Sequence, residues 1–253
     1  MTLNLDLDGA VALVTGGVRG VGAGITRVLR AAGATVVTCA RRPGADADPD
    51  FLSCDVRDPD AVAGLMAAVE SRYGRLDVLV NNAGGAPFAP AATASPNFHR
   101  KILELNLLAP LHLSQLANER MQRQGSGGAI VMVSSVSGHR ASPGTAAYGA
   151  AKAGLDSLTA SLAVEWAPKV RVNSLVVGMV ATEQSRLHYG DEAGIAAVAR
   201  TVPLQRLAQP DDVGYCAAFL ASPLAAYVSG ATLAVHGGGE VPAFLAAAET
   251  ERN

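Results

Sequence analysis

The sequence predicts an α/β fold: one doubly wound domain in which a seven-stranded parallel sheet carries helices on both faces. Short runs rich in β-branched residues alternate with longer segments in which apolar residues recur at helical spacing. The strand-like runs are apolar almost throughout, as burial on both faces of a parallel sheet requires. A glycine-rich segment directly follows the first run, which is typical of a Rossmann-type first strand and helix.

The element pattern covers most of the chain. Seven segments are predicted to be strands: residues 11–15, 35–39, 51–54, 76–80, 129–134, 170–176 and 231–235. Five segments between them are predicted to be helices: residues 21–32, 60–73, 98–123, 146–166 and 211–220. No linker, internal repeat or block of like charges divides the chain, so we expect residues 1–253 to form a single domain.

Two segments near the C-terminal end lack a strand pattern. Residues 179–209 are expected to form a pair of short apolar helices that acts as a substrate lid, because ligands of such sheets bind at the carboxyl ends of the strands. Residues 240–253 are expected to form a C-terminal tail.

Charge and composition favour small molecules and further copies of the chain as partners. Twenty basic and 22 acidic residues give a formal net charge of −2, which offers no electrostatic footprint for nucleic acid or an anionic membrane. The N-terminus, MTLNLDLDG, has two acidic and no basic residues, which is unlike a signal peptide. No apolar run reaches the ~18 residues of a spanning helix. We therefore expect a cytoplasmic protein.

The cysteines and histidines do not form a metal-binding pattern. Cys39, Cys54 and Cys216 are odd in number and widely spaced, which favours reduced, buried thiols. None of the five histidines has zinc-like spacing to another ligand, so no metal site is expected. His139 and Arg140 closely follow the fifth strand and are expected to line a substrate pocket.

The glycine-rich segment after the first strand has the spacing TGxxxGxG. Glycines permit a tight turn and a close approach of the backbone to a pyrophosphate, whose charge is favoured by the N–H groups at a helix N-terminus. The same kind of turn can bind S-adenosylmethionine, so a methyltransferase is an alternative. The expected cofactor contacts in this segment are Gly16, Val18, Arg19, Gly20, Val21 and Gly22.

The end of the second strand favours NADP(H) over NAD(H). NAD-binding proteins place a carboxylate there for the ribose hydroxyls, but this strand is followed by Arg41 and Arg42. Arg41 can form a charge-assisted contact with a 2′-phosphate, and Arg19 can approach it from the glycine-rich turn. Asp55 and Val56, after the third strand, are expected to contact the adenine.

A general acid–base site is predicted by three residues. Tyr148 and Lys152 are four residues apart in a helical pattern, so their side chains lie on one face. A phenol has an ordinary pKa of about 10, and nearby positive charge lowers it. Ser135 follows the fifth strand and can bind a substrate oxygen while Tyr148 exchanges its proton.

Polar residues also follow the fourth strand. Asn82, Ala83 and Gly84 are expected to lie beside the cofactor. Asn106 stands among leucines in the next helical segment, where packing gives no reason for a polar residue.

These motifs together resemble the short-chain dehydrogenase/reductase family over about residues 7 to 240. The TGxxxGxG turn, Asp55, the NNAG segment, Asn106, Ser135, Tyr148 and Lys152 occur in the family's order and at suitable spacing. The resemblance implies that Tyr148 is the general acid/base and that Ser135 holds the substrate oxygen. It implies that Lys152 binds the nicotinamide ribose and lowers the pKa of Tyr148. Asn106 would anchor a water that links Lys152 to solvent.

The sequence departs from the family pattern at two places. Val177 precedes Gly178 where the family usually has proline, so we expect a looser loop at the nicotinamide end. Gly178, Val180 and Thr182 occupy the positions that resemble the carboxamide contacts. His236 stands where an aspartate is common, in a segment that resembles one packed at subunit interfaces.

The resulting expectation is an NADP(H)-dependent oxidoreductase that interconverts a secondary alcohol and a ketone on a fairly hydrophobic substrate. The resemblance implies a homotetramer in which the helices bearing Asn106 and Tyr148 form much of one interface. Two alternatives keep the fold: a reductase of 3-oxoacyl thioesters, and a relative that binds NADP(H) without turnover.

Overall fold

A single parallel sheet is the framework of the molecule. The structure, a computed structural model, describes residues 5–45 and 48–247. All strand pairings are parallel, and the strand order is β3-β2-β1-β4-β5-β6-β7. The strands are β1 (Val11–Thr15), β2 (Thr35–Ala40), β3 (Phe51–Ser53), β4 (Val78–Asn81), β5 (Gly128–Ser135), β6 (Val170–Val177) and β7 (Thr232–Val235). All seven predicted strands are confirmed, with ends that differ by two residues at most.

The helices connect these strands and cover both faces of the sheet, so the doubly wound Rossmann-type prediction is confirmed. They are α1 (Gly20–Ala31), α2 (Pro59–Tyr73), α3 (Pro96–Leu103), α4 (Ala109–Arg123), α5 (Ala146–Glu165), α6 (Ser185–Tyr189), α7 (Glu192–Thr201), α8 (Pro210–Ala221) and α9 (Ala243–Ala247). Within the described residues, no helix has the length and apolar character needed to cross a membrane.

The segment predicted as one helix over residues 98–123 is divided. It begins at Pro96 as α3, because Ser95 caps the N-terminus and proline is well tolerated in the first turn. A five-residue π-helical turn, Glu104–Leu108, then separates α3 from α4. Such turns occur often at functional sites, and this one contains Asn106.

Aliphatic side chains fill two core clusters, one on each face of the sheet. Leu13 of β1 and Ile130 of β5 point towards the face covered by α2, α4 and α5, where Leu155 of α5 packs. Ile25 of α1 and Val213 of α8 belong to the opposite cluster. These five side chains are completely buried. Each such aliphatic side chain contributes roughly 1.5–3 kcal/mol by leaving water, so the clusters fix the sheet and the helices on it.

The strand order brings the ends of β1 and β4 together. These two strands are neighbours in the sheet, although β2 and β3 come between them in the chain. The connection after β1 crosses one face and the connection after β4 crosses the other, which opens a crevice at their carboxyl ends. Ligands of doubly wound sheets bind in crevices of this kind.

The expected helix pair in residues 179–209 consists of α6 and α7. Its base is closed by backbone hydrogen bonds, from the N–H of Ala208 to the carbonyl of Met179 and from the N–H of Ala181 to the carbonyl of Ala208. No residue of α7 is buried, and Leu187 of α6 is 82% exposed. The pair is therefore held at its base and packs loosely along its length. Of the expected tail, residues 240–247 include α9, and the rest lies outside the described residues.

The three cysteines are free thiols. Cys39 and Cys54 are buried and Cys216 is half-buried. Burial raises the pKa of the Cys39 thiol to about 12, so this group stays protonated at neutral pH.

Candidate active site

The turn between β1 and α1 has a shape that requires glycine. Gly16 and Gly20 have φ angles of 65° and 51°, in the left-handed region. A Cβ atom on Gly22 would lie 2.2 Å from the carbonyl oxygen of Gly16. The predicted contact residues all lie in this turn or in the first turn of α1: Gly16, Val18, Arg19, Gly20, Val21 and Gly22.

The N-terminus of α1 leaves backbone donors available to a ligand. Arg19 is its N-cap residue and makes no capping hydrogen bond with its side chain, and no acidic residue lies in the first turn. In contrast, Asp58 caps α2 and Ser95 caps α3. Uncapped N–H groups at a helix N-terminus favour an anion. The turn therefore fits the pyrophosphate of a dinucleotide.

The hydroxyl of Thr15 joins the ends of β1 and β4. It accepts hydrogen bonds from the backbone N–H groups of Asn82 and Ala83, both at 2.9 Å, and donates to the carbonyl of Val80 at 3.3 Å. The Asn82 side chain in turn donates to the carbonyl of Thr15 at 2.8 Å. Asn82 and Ala83, which we predicted as cofactor contacts, thus also hold the glycine-rich turn in place. Thr15 was not among the predicted site residues, although it forms part of the TGxxxGxG motif.

Of the residues predicted to select the cofactor, Arg41 and Arg42 directly follow β2, whereas Arg19 lies in the glycine-rich turn as the N-cap residue of α1. Arg19, Arg41 and Arg42 are exposed, and none of them forms a salt bridge with a described residue. Asp55 accepts three hydrogen bonds from Arg57, two from its guanidinium at 2.9 and 2.5 Å and one from its backbone N–H at 3.1 Å. These bonds, with a smaller contribution from the charge of Arg41, lower the pKa of Asp55. The sequence analysis missed Arg57, the principal partner of Asp55.

Two further contacts define this part of the crevice. A Cβ atom on Gly44 would lie 3.2 Å from the carbonyl oxygen of Val18, so the loop after β2 packs against the glycine-rich turn. Val56 is 7% exposed and belongs to the core on the α2 side. Burial in the core fixes Val56, and with it the backbone next to Asp55.

Asn106 is completely buried and fixes the segment that follows β4. Its Oδ1 accepts a hydrogen bond from the N–H of Gly85 at 2.8 Å, and its Nδ2 donates to the carbonyl of Gly85 at 3.0 Å. Nδ2 also donates to the carbonyl of Ile102 at 2.9 Å. The π-helical turn therefore aims one amide side chain at the loop beside the crevice.

Tyr148, Lys152 and Ser135 come together as predicted. Lys152 is 3% exposed, its Nζ donates to the carbonyl of Val133 at 2.7 Å, and it lies 5.5 Å from the centre of the Tyr148 ring. A side-chain hydrogen bond links Ser135 and Tyr148. The end of β5 and the first two turns of α5 thus hold a hydroxyl, a phenol and an ammonium in one place.

Burial acts on both titratable groups of this site. It raises the pKa of the Tyr148 phenol, and the hydrogen bond with Ser135 lowers it in part. Burial lowers the pKa of Lys152 to about 8, and the charge of Asp156 opposes this shift. Asp156 was missed by the sequence analysis. The signal that could have found it is an acidic residue one helical turn after Lys152, in an otherwise apolar helix.

Gly84 lies between the side chains of Asn106 and Lys152. A Cβ atom on it would lie 2.7 Å from Oδ1 of Asn106 and 3.4 Å from Nζ of Lys152. The missing side chain therefore leaves space between these two polar groups.

The predicted nicotinamide contacts lie at the ends of β6 and the start of the helix pair. Val177 is the last residue of β6 and pairs with Ser135 and Val235. Strand pairing therefore holds the backbone at this position, where the family usually has proline. A Cβ atom on Gly178 would meet His236 at 2.8 Å.

The segment after Gly178 crosses to the glycine-rich turn. Val180 forms an isolated parallel bridge with Ala208 at the base of the helix pair. A Cβ atom on Gly20 would lie 3.5 Å from Cγ2 of Thr182. Thr182 therefore lies opposite the glycine-rich turn.

His139 and Arg140 line a cavity of about 550 Å³ beside the ends of β5, β6 and β7. Val136 and Met179 contribute apolar walls to it. Arg140 forms a salt bridge with Glu240 at 2.6 Å.

Comparisons with known proteins find related sequences and structures over most of the chain. Residues 16–240 match a family model described as Enoyl-(Acyl carrier protein) reductase. The chain is 40% identical to the cis-4-hydroxycyclohexanecarboxylate dehydrogenase of Sinomonas cyclohexanicum, over 90% of this chain and 95% of that protein. It is 36% identical to a 3-oxoacyl-(acyl-carrier-protein) reductase of Vibrio cholerae, over 92% and 98% of the two chains. The ligand-free aldohexose dehydrogenase of Thermoplasma acidophilum has a similar structure, with a TM-score of 0.88, 30% identity and coverage of 93% and 96%.

Replacing Thr15 by valine should lower the free energy of unfolding by roughly 1–3 kcal/mol, because two backbone N–H groups lose their acceptor while the side-chain shape is kept. The Thr159→Val variant is the matched control. Thr159 is equally buried, but its hydroxyl only donates to a carbonyl of its own helix. Urea unfolding measures the free energy of unfolding of both variants. Equal losses in the two would show that the hydrogen bonds accepted by Thr15 do not stabilise the fold.

Proposed function

Because the chain belongs to the short-chain dehydrogenase/reductase family, we propose that it is an NADP(H)-dependent oxidoreductase that interconverts a secondary alcohol and a ketone. The observation that carries this proposal is the grouping of Tyr148, Ser135 and Lys152 at the same sheet edge as the uncapped, glycine-rich turn. A site of this kind manages a proton beside a bound dinucleotide.

Tyr148 acts as the general acid in ketone reduction and as the general base in alcohol oxidation. Ser135 orients the substrate oxygen towards the phenol. Burial by itself holds the pKa of Tyr148 above its ordinary value, so positive charge is needed to make its proton mobile. Lys152 provides that charge at 5.5 Å from the ring. The cofactor, when bound, supplies the hydride.

Asn106 serves the same proton transfer. Its Oδ1 and the Nζ of Lys152 face the space next to Gly84. A water held there by Asn106 connects Lys152 to solvent, so the proton that Tyr148 exchanges with the substrate is replaced from outside.

The residues that hold the cofactor come from the segments that follow β1, β2, β3, β4 and β6 and from helix α5. The glycine-rich turn binds the pyrophosphate, Arg19, Arg41 and Arg42 bind the 2′-phosphate, and the segment after β6 binds the nicotinamide. The full set comprises Gly16, Val18, Arg19, Gly20, Val21, Gly22, Arg41, Arg42, Asp55, Val56, Asn82, Ala83, Gly84, Tyr148, Lys152, Gly178, Val180 and Thr182.

The substrate is fairly hydrophobic, and residues 179–209 close over it. Apolar groups of Val136 and Met179 in the cavity beside Ser135, and the exposed Leu187 of α6, support this choice. Reduction of 3-oxoacyl thioesters is the second candidate, favoured by the similarity to the Vibrio cholerae reductase over nearly the whole chain. Activity on acetoacetyl-CoA, with none on free ketones, would select it.

The protein assembles as a homotetramer in which the helical segment that bears Asn106 (residues 96–123) and α5, which bears Tyr148, form much of one interface. Exposed apolar side chains on the helical segments that bear Asn106 and Tyr148 support this assembly: Leu103 is 37% exposed, Leu108 44% and Val164 80%. Sedimentation should give the mass of four chains at micromolar concentration, and a monomer there would contradict the proposal.

Replacing Tyr148 by phenylalanine should lower kcat/KM for NADPH-dependent ketone reduction by roughly 100- to 10,000-fold, because the transferable proton is lost. NADPH affinity should fall far less than kcat/KM, because the glycine-rich turn and the other residues that hold the cofactor are unchanged. Steady-state kinetics on a panel of cyclic ketones and calorimetric NADPH titration measure the two effects. Tyr227→Phe is the control, since Tyr227 is fully exposed. Unchanged turnover in Tyr148→Phe would remove the basis of the proposed mechanism.

The unchanged protein should bind NADPH more tightly than NADH by about 1.5–3 kcal/mol, or roughly 10- to 150-fold, because Arg41 forms a charge-assisted contact with the 2′-phosphate. Arg41→Ala should erase most of that difference. The control is Arg123→Ala, which should leave the difference intact because Arg123 is an exposed arginine at the end of α4. Calorimetric titration with both cofactors decides the matter, and tighter binding of NADH would identify Arg41 and Arg42 as solvated surface charges.

A further inference from the structure

The carboxylate of Asp156 is bound by three elements of the fold. It accepts hydrogen bonds from Oγ of Ser134 on β5 at 2.9 Å, from Oγ of Ser174 on β6 at 2.5 Å, and from Nε2 of His139 at 2.9 Å. Its side chain is only 11% exposed. A carboxylate this deeply buried is costly unless it is well bonded, so the fold maintains a negative charge at this point.

Asp156 lies on the same helix face as the predicted catalytic pair. It follows Lys152 by one turn of α5 and Tyr148 by two. Oγ of Ser134 lies between the Asp156 carboxylate and the backbone carbonyl of Lys152, which is 3.2 Å away. The carboxylate is thus fixed next to the turn of helix that carries the ammonium.

We propose that Asp156 is a positioning residue that keeps the ammonium of Lys152 charged and thereby acts on Tyr148 through Lys152. The proposal rests on the proposed function, because it assigns Asp156 to the proton transfer described above.

Lys152 needs such a partner. Its ammonium is buried, and among the described residues it forms no salt bridge and donates to one protein acceptor, the carbonyl of Val133. Loss of hydration lowers the pKa of Lys152 to about 8, with Asp156 acting in the opposite direction. The pKa of Lys152 is thus only slightly above neutral pH, and the Asp156 carboxylate keeps it from falling further.

Apart from His139, the other described groups that surround Lys152 and Asp156 are uncharged side chains. Within the described residues, α5 places Tyr148 and Asp156 beside Lys152, and the π-helical turn contributes the uncharged Asn106. The strands contribute serine hydroxyls to Asp156. His139 faces Asp156 from the loop after β5, and its charge, when present, offsets that of the carboxylate.

The chain offers a direct way to observe this lysine. It contains three lysines, Lys101, Lys152 and Lys169. Lysine labelled with ¹³C at Cε gives one NMR signal for each, and the Lys101→Arg and Lys169→Arg variants assign them. In the unchanged protein the Lys152 signal should titrate with a midpoint near pH 8.

Asp156→Asn should lower that midpoint by about one pH unit, the scale on which a neighbouring opposite charge acts. The amide keeps the size of the side chain and removes its charge. Glu165→Gln is the matched control, because it removes one negative charge from the exposed far end of the same helix and should leave the midpoint in place. Lys101 and Lys169 serve as internal controls.

A second variant covers the case in which Asp156→Asn fails to fold. His139→Arg places a permanent positive charge against the carboxylate from a side chain that is 49% exposed, without changing the core. It should lower the Lys152 midpoint in the same direction by a smaller amount, whereas His139→Gln should not. An unchanged midpoint in the folded variants overturns the proposal, and would show that Asp156 only ties β5, β6 and α5 together.

Kinetics separate this inference from the proposed function. Ketone reduction needs a protonated Tyr148 and a charged Lys152. Both groups lose their protons as pH rises, and activity falls with them. The alkaline limb of kcat/KM should therefore move to lower pH in Asp156→Asn by the same amount as the lysine midpoint. A limb that stays in place while the lysine midpoint moves overturns the positioning role. A chain that shows the NMR shift but reduces no ketone refutes the proposed function and supports the link between Asp156 and Lys152.

Discussion

The hydroxyl of Thr15 connects two strands that are adjacent in space and distant in sequence. By accepting the N–H groups of Asn82 and Ala83, it fixes the segment after β4 against the end of β1. The same segment continues to Gly84, which lies beside Lys152. The crevice at the switch point of the sheet thus has walls whose spacing is set by hydrogen bonds and not only by strand pairing.

The candidate site operates against the effects of its own burial. Enclosure in the protein raises the pKa of Tyr148 and lowers that of Lys152, and both shifts oppose the charges that the proposed proton transfer needs. Polar groups from several elements surround the two side chains: Ser135 at a strand end, Asn106 in a π-helical turn, and Asp156 on α5. Each of these groups is held by at least one hydrogen bond to another part of the chain, so the electrostatic balance is a property of the whole sheet edge.

Much of the fold was predictable because its signals are local. Near-continuous apolar runs marked all seven strands, and helical spacing of apolar residues marked the helices and the pair in residues 179–209. The division of residues 98–123 was not predictable in the same way. A π-helical turn changes the spacing by one residue, which a 3.6-residue pattern over 26 residues does not resolve.

The sequence by itself determined the order of strands and helices, the glycine-rich turn, and the presence of a tyrosine and a lysine on one helix face, because each depends on residues close together in the chain. Only the tertiary structure decided which groups those residues meet. Thr15 binding to the β4 segment, Arg57 pairing with Asp55, and the three donors around Asp156 all depend on how distant elements pack. Hydrogen bonds and charge effects act over a few ångströms, so they become readable only when the fold has brought their partners together.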